Sequence, residues 1–251
     1  MLKQLVILLI LLSSPSYGDV VTIRADEWYP VNGRPGAANP GYMIEIARKI
    51  LIENGHSLDY QTLPWRGSLK MVRKGRYDCV VGADHNDAPD FVFTKEPWGF
   101  IKPVFYIKKE SSWRYQGIDS LRNIRLGVIG DYAYTQVLED YIARNKDTDK
   151  VQIVFANKAL RQNIGKLMSG RLDVVIEYDI VMDAKLRELG HDKDIISVGS
   201  ITDGQPLYIA CSPNKANARE YIRLFAEGFS KMRKNGELAG ILQKYGLKDW
   251  Q

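Results

Sequence analysis

The chain has 251 residues, 45% of them hydrophobic and 26% charged, with a formal net charge of +5. That length buries one large core or two smaller ones without disulfide staples. Lysine and arginine are scattered among the acidic residues with no basic stripe interleaved with aromatics, which argues against a nucleic-acid partner. The three histidines (His56, His85, His191) and two cysteines (Cys79, Cys211) lack metal-ligand spacing, and no cofactor or metal is expected.

The first residues read as a targeting segment. Lys3 supplies a positive start, and residues 5–12 are an unbroken apolar run too short to span a bilayer. Ser16-Tyr17-Gly18 places small residues at the −3 and −1 positions of a signal-peptidase site, so residues 1–18 are expected to be a signal peptide cleaved before Asp19. Losing Lys3 leaves a net charge of +4. No cysteine near that site offers a lipid anchor, and no later stretch reaches the roughly 20 apolar residues of a membrane span.

Strands and helices then alternate. Residues 20–25 are β-branched and predict a strand, followed by a loop of turn formers over 29–41. Residues 42–54 carry Met43, Ile46, Ala47, Ile50 and Leu51 at helical spacing. A strand over 57–62, a short helix over 68–73 ending at Gly75, and an apolar strand over 77–81 follow. The same grammar restarts with a strand at 124–129, a helix at 134–145, a strand at 151–155, a helix at 160–169 and a strand at 172–176. A strand over 207–211 and helices over 216–233 and 238–245 end the chain and are expected to pack back on the first unit. Repeated strand-helix-strand units imply parallel strands with right-handed crossovers.

In this order and spacing the chain resembles family 3 of the bacterial extracellular solute-binding proteins. The residues that carry the likeness are Asp26-Glu27-Trp28-Tyr29-Pro30, Pro40-Gly41-Tyr42-Met43-Ile44-Glu45, Leu63-Pro64-Trp65, Gly75-Arg76-Tyr77-Asp78 and Phe93-Thr94 with Pro97. Gly170-Arg171-Leu172-Asp173 repeats the Gly-x-x-Asp pattern, and Gly236-Glu237-Leu238 through Lys244-Tyr245-Gly246 resembles the family's C-terminal signature. The resemblance implies an α/β fold of the type II periplasmic-binding-protein kind, with two lobes joined by two crossover strands and a cleft between. Lobe one is expected to comprise 19–108 and 204–251, lobe two 109–203, with the crossovers near 106–112 and 200–206. In that fold the strands bearing Cys79 and Cys211 are antiparallel neighbours. Adjacent strands meet disulfide geometry only at favourable pairs, so the expectation is two buried free thiols close together, with a bond left open.

Two departures bear on the solute. The family's arginine that pairs with a ligand carboxylate has no counterpart in Ala83-Asp84-His85-Asn86-Asp87-Ala88-Pro89, and the aspartate that meets a ligand amine falls at Tyr178, between Glu177 and Asp179. A standard L-amino-acid ligand is therefore not expected. The ligand-binding candidates are Trp28, Tyr29, Trp65, Arg66, Asp84, His85, Tyr132, Glu177 and Tyr178. Trp65 is assigned to stacking, and Arg66 to replacing the missing guanidinium. Asp84, His85 and Asn86 follow a buried strand at the end where open α/β sheets bind ligands. Asp131 is read as a helix N-cap with Tyr132 or Tyr134 reaching the cleft, Trp98 is a lesser candidate, and only one of Glu177 and Asp179 is expected to face it.

The function these features imply is a periplasmic solute-binding protein of a Gram-negative cell. It is expected to be monomeric, to close on a small polar solute (amino-acid-like, an amine or an organic acid) and to deliver it to an ABC permease. The alternatives are a sensor-type protein serving a membrane receptor, or a dehydratase-like enzyme using Glu177 or Asp84 as proton donor. With no catalytic triad spacing, phosphate loop or metal constellation, an enzyme is not expected.

Overall fold

The computed structural model describes residues 18–130, 132–155 and 158–250, so residues 1–17 of the expected signal peptide and Asp131 lie outside the described residues. The described chain forms two sheets, each covered by helices. No helix among the described residues is long and apolar enough to cross a membrane.

The first sheet contains β1 (Val20–Ala25), β2 (Ser57–Thr62), β3 (Cys79–Ala83), β4 (Val92–Phe93) and β5 (Gly99–Ile101), together with the late strand β11 (Gln205–Cys211). Its order is β2-β1-β3-β11-β4, with β5 on the far end of β11. Strands β1, β2 and β3 are parallel and β11 is antiparallel. The second sheet has the order β10-β6-β9-β7-β8. It is built from β6 (Pro103–Lys108), β7 (Leu126–Ile129), β8 (Val151–Val154), β9 (Val174–Tyr178) and β10 (Ile195–Ser200).

Helices α1 (Tyr42–Glu53) and α2 (Trp65–Arg73) link the strands of the first sheet, and α3 (Gln136–Asn145), α4 (Ala159–Met168) and α5 (Asp179–Leu189) those of the second. Helices α6 (Ala218–Lys234) and α7 (Glu237–Lys244) return to the first lobe. Phe229 of α6 stacks on Trp98 at 5.2 Å, and Lys244 at the end of α7 reaches Glu45 of α1 at 2.9 Å.

The repeated Gly-x-x-Asp pattern has one structural job in both sheets. Gly75 and Gly170 take the left-handed turn that ends α2 and α4, with φ of 71° and 72°, a conformation that costs a glycine nothing. Three residues later the aspartate ties the incoming strand to its neighbour. Asp78 accepts the backbone N–H of Thr22, and Asp173 accepts that of Arg125 along with two bonds from its guanidinium. Asp78 is thus part of the lead-in, and the strand expected at 77–81 runs over Cys79–Ala83.

The chain leaves the first sheet through Lys102, between β5 and β6, and returns between Ser200 and Gln205. The first crossing therefore precedes the expected 106–112, and Pro103–Lys108, assigned by sequence to lobe one, is paired with β9 and β10 in the second sheet. The reason is apolarity. Val104, Phe105, Tyr106 and Ile107 are all buried, as suits an inner strand and not an exposed hinge. Cys79 and Cys211 oppose each other in the β3–β11 register and are joined as a disulfide, in place of the two free thiols expected.

Candidate functional site

The strands of both sheets end at a cavity of about 390 Å³. The first lobe contributes Asp26 and Trp28 from the loop after β1, Trp65 from the first turn of α2, and Val81, Gly82, Asp84, Asn86 and Asp87 from β3 and the turn beyond it. The second contributes Tyr132 to Gln136 and Tyr178, and the two crossings add Ile101, Gln205 and Leu207.

The turn after β3 is organised by its own carboxylates. Asp84 Oδ1 accepts the backbone N–H of Asn86 at 2.7 Å and of Asp87 at 3.0 Å, and Asp87 Oδ2 accepts that of Asp84 at 3.2 Å. Such a turn is the ordinary use of aspartate at a bend, but this one is turned into a cavity. Trp65 Nε1 donates a long bond, 3.5 Å, to Asp87 Oδ1.

Three carboxylates, Asp26, Asp84 and Asp87, line the cavity, and no lysine, arginine or histidine is among the described lining residues. The imbalance has a chemical signature. Burial pushes Asp87 up to about 6, and the charge of Asp84 adds to the shift. Burial likewise pushes Asp26 up to about 6, with the charge of Asp87 contributing. Glu177 lies beneath the lining, 1% exposed, and burial lifts it to about 8. A nearby cation would push such groups the other way. No group of three possible metal ligands occurs among the described residues.

Five of the nine sequence candidates line the cavity: Trp28, Trp65, Asp84, Tyr132 and Tyr178. Trp28 stands edge-on to Tyr178 at 5.1 Å, and the Tyr178 hydroxyl donates to the carbonyl of Ala133. The other four are placed elsewhere. Arg66 is exposed on α2 and does not line the cavity. On a helix consecutive side chains diverge by about 100°, so Trp65 and Arg66 cannot share a face. Tyr29 packs on Tyr245, and His85 is exposed and stacks on Phe93 at 4.2 Å. Glu177 supports the cavity from behind. Trp98 is fully buried in the first lobe's core, against Phe225 and Phe229. Asp179, the first residue of α5, accepts the N–H of Lys102 at the crossing and does not line the cavity.

Sequence reasoning missed Asp26, Thr135, Gln136 and Gln205 as cavity residues. Asp26 stood inside the first aromatic motif and was legible there as the first polar residue beyond a buried strand. Gln205 and the helix start at Thr135 carry no local signal, because their placement depends on where the crossover and α3 fall.

The family model of the bacterial extracellular solute-binding proteins, family 3, matches residues 21–248. No curated protein sequence matches the chain. Among solved structures, the chain is similar to one from a study of glutathione import through GshT and the cystine ABC importer TcyBC of Streptococcus mutans. That likeness has a TM-score of 0.75 and 17% identity over 92% of this chain and 96% of the other. A histidine kinase sensor domain with similarity to periplasmic binding proteins gives a TM-score of 0.71 and 20% identity over 93% and 99%. An amino acid ABC transporter substrate-binding protein of Streptococcus pneumoniae, bound to L-arginine, gives 0.68 and 19% over 91% and 94%. At these identities the likeness is one of fold, and the fold is that of the periplasmic binding proteins.

Proposed function

The chain belongs to family 3 of the bacterial extracellular solute-binding proteins, and from that premise we propose that it captures a small, positively charged solute between its two lobes. The observation that carries this reading is the lining itself: three carboxylates, five aromatic rings (Trp28, Trp65, Tyr132, Tyr134, Tyr178) and no described cationic side chain. A carboxylate in a closed cleft is expensive without a counter-charge. An ammonium or guanidinium group restores the balance and finds aromatic faces to rest on, each contact contributing roughly 0.5–2 kcal/mol. Of the solute classes expected from sequence, amines and cationic amino-acid-like compounds fit this lining, and organic acids do not.

In this reading the protein is exported by the segment ahead of Asp19, works as a monomer in the periplasm, and presents its closed form to an ABC permease. Lobe one is residues 19–102 with 204–251, moved by closure about the two crossings at Lys102 and 201–204. The bound solute leaves unchanged. A sensor role is the second reading, supported by the likeness to the histidine kinase sensor domain. Co-purification with a permease separates it from transport.

A thermal-shift screen tests the proposal. Diamines, guanidines, quaternary amines and basic amino acids are set against dicarboxylates and aliphatic amino acids. A solute at ~100 times its Kd adds about 2.7 kcal/mol of stability. Cations are expected to raise Tm, and stabilisation by dicarboxylates alone defeats the reading.

A further inference from the structure

Trp28 belongs to the first lobe but reaches into the second. Its indole stands edge-on to Tyr178 at 5.1 Å and to Tyr132 at 6.4 Å between ring centroids. Beneath these rings lies the carboxyl of Glu177, 1% exposed, whose Oε1 accepts the backbone N–H of Tyr178 at 2.8 Å. Two buried polar atoms in this packed group are left over. Glu177 Oε2 and Trp28 Nε1 have no hydrogen-bond partner among the described residues. One accepts, the other only donates, and they come from opposite lobes. Trp28 and Tyr132 are close enough to Glu177 to hold its pKa down, though burial outweighs them.

We propose that Glu177 and Trp28 form a clasp between the lobes: the neutral acid rests under the indole and leaves the cleft shut, and ionisation, which the shut seam cannot solvate, opens it. Closure takes this carboxyl out of water, so burial penalises its charged form, and a hydrogen bond from the indole offsets only part of that cost. Glu177 does not line the cavity whereas Trp28 does, so Glu177 is a positioning residue that acts through the indole. The clasp concerns closure and holds whatever the solute proves to be, so its test needs no solute.

The titratable groups that face Glu177 are Asp26 from the loop after β1, Tyr132 and Tyr134 from the segment after β7, Tyr106 from β6, and its neighbour Tyr178. No lysine or arginine is among them. Burial pushes all four phenols above their ordinary range, so they stay neutral while Glu177 ionises. Asp26 loses its proton first, near 6, against about 8 for Glu177.

The experiment is an NMR titration of the Trp28 indole N–H in solute-free, ¹⁵N-labelled protein from about pH 5 to 9, the resonance being assigned by its loss in Trp28→Phe. The expected result is a change in the indole shift with a midpoint near 8, absent in Glu177→Gln, together with a rise in radius of gyration over the same range that Glu177→Gln also lacks. Asp26→Asn removes a like charge, so it lowers the midpoint and keeps the titration. An indole that does not titrate above about pH 6.5, one that titrates unchanged in Glu177→Gln, or a titration without expansion overturns the clasp.

Discussion

Gln205 donates its side-chain amide to Asp84 Oδ2 at 3.1 Å, linking the strand that re-enters the first lobe to the acidic turn lining the cavity. The bond fixes the amide, leaving its carbonyl oxygen turned from Asp84 as an acceptor. A cation meeting Asp84 therefore meets a residue already tied to the crossing.

The first prediction follows from that pair. Asp84→Asn removes a charge facing the solute and is expected to weaken binding of a cation by about tenfold to a hundredfold, the equivalent of 1.5–3 kcal/mol. Gln205→Ala removes a neutral contact and costs about tenfold or less. Calorimetric titration of both variants with a cation identified by the screen checks the ranking.

Trp65 and Arg66 are adjacent in sequence but differ in place. Trp65 lines the cavity, and Arg66 is exposed on the other side of the helix turn. Trp65→Ala is expected to weaken binding at least tenfold, and Arg66→Ala to leave affinity within about twofold. Loss of binding in Arg66→Ala alone shows that the guanidinium reaches the solute after all.

Stability should depend on pH with a definite sign. Asp26 and Asp87 are raised from 3.8 to about 6 and Glu177 from 4.5 to about 8, all chiefly by burial, and Asp183 is raised for the same reason. The folded state thus binds more protons than the unfolded chain across this range, and stability falls as pH rises through 6 and then 8. Asp90, Asp173 and Glu237 are held below their usual values by Arg73, Arg125 and Lys49, so their contribution is lost only as pH falls below about 4. The solute-free protein is expected to have its highest Tm near pH 4–5 and a lower one at 8.5. Glu177→Gln should flatten the upper part of that slope, as differential scanning calorimetry will show.

The Cys79–Cys211 bond closes a loop across 132 residues of sequence inside one lobe. In the chain-entropy model such a loop contributes about 4–5 kcal/mol through the unfolded state. The double variant Cys79→Ala, Cys211→Ala should lower the urea midpoint, and thiol titration of the denatured, unreduced protein should find no free thiol. Two reactive thiols there show that the bond does not form.

Much of this architecture was legible in the residues. Val20–Ala25 and Ser57–Thr62 emerge with the bounds the sequence predicts, because β-branched or alternating runs end at turn formers. Strands β4, β5 and β6 were not, since β4 and β5 are two and three residues long and β6 opens on Pro103. Helix α5 escaped notice because its buried Val181, Met182, Ala184 and Leu186 give a weak helical stripe next to a strand. The acidity of the cavity was visible in Asp84 and Asp87. The side of a helix turn on which Arg66 falls was not, because one residue of phase decides it.

Recognition turns on the sign of the charge that the cavity accepts. Its most direct test is a pair of calorimetric series at neutral pH, straight-chain diamines with guanidinium compounds against dicarboxylates of matched length. The expected result is saturable binding of at least one cation, weakened in Asp84→Asn, and no heat from any dicarboxylate. Saturable binding of a dicarboxylate, with every cation silent, contradicts it.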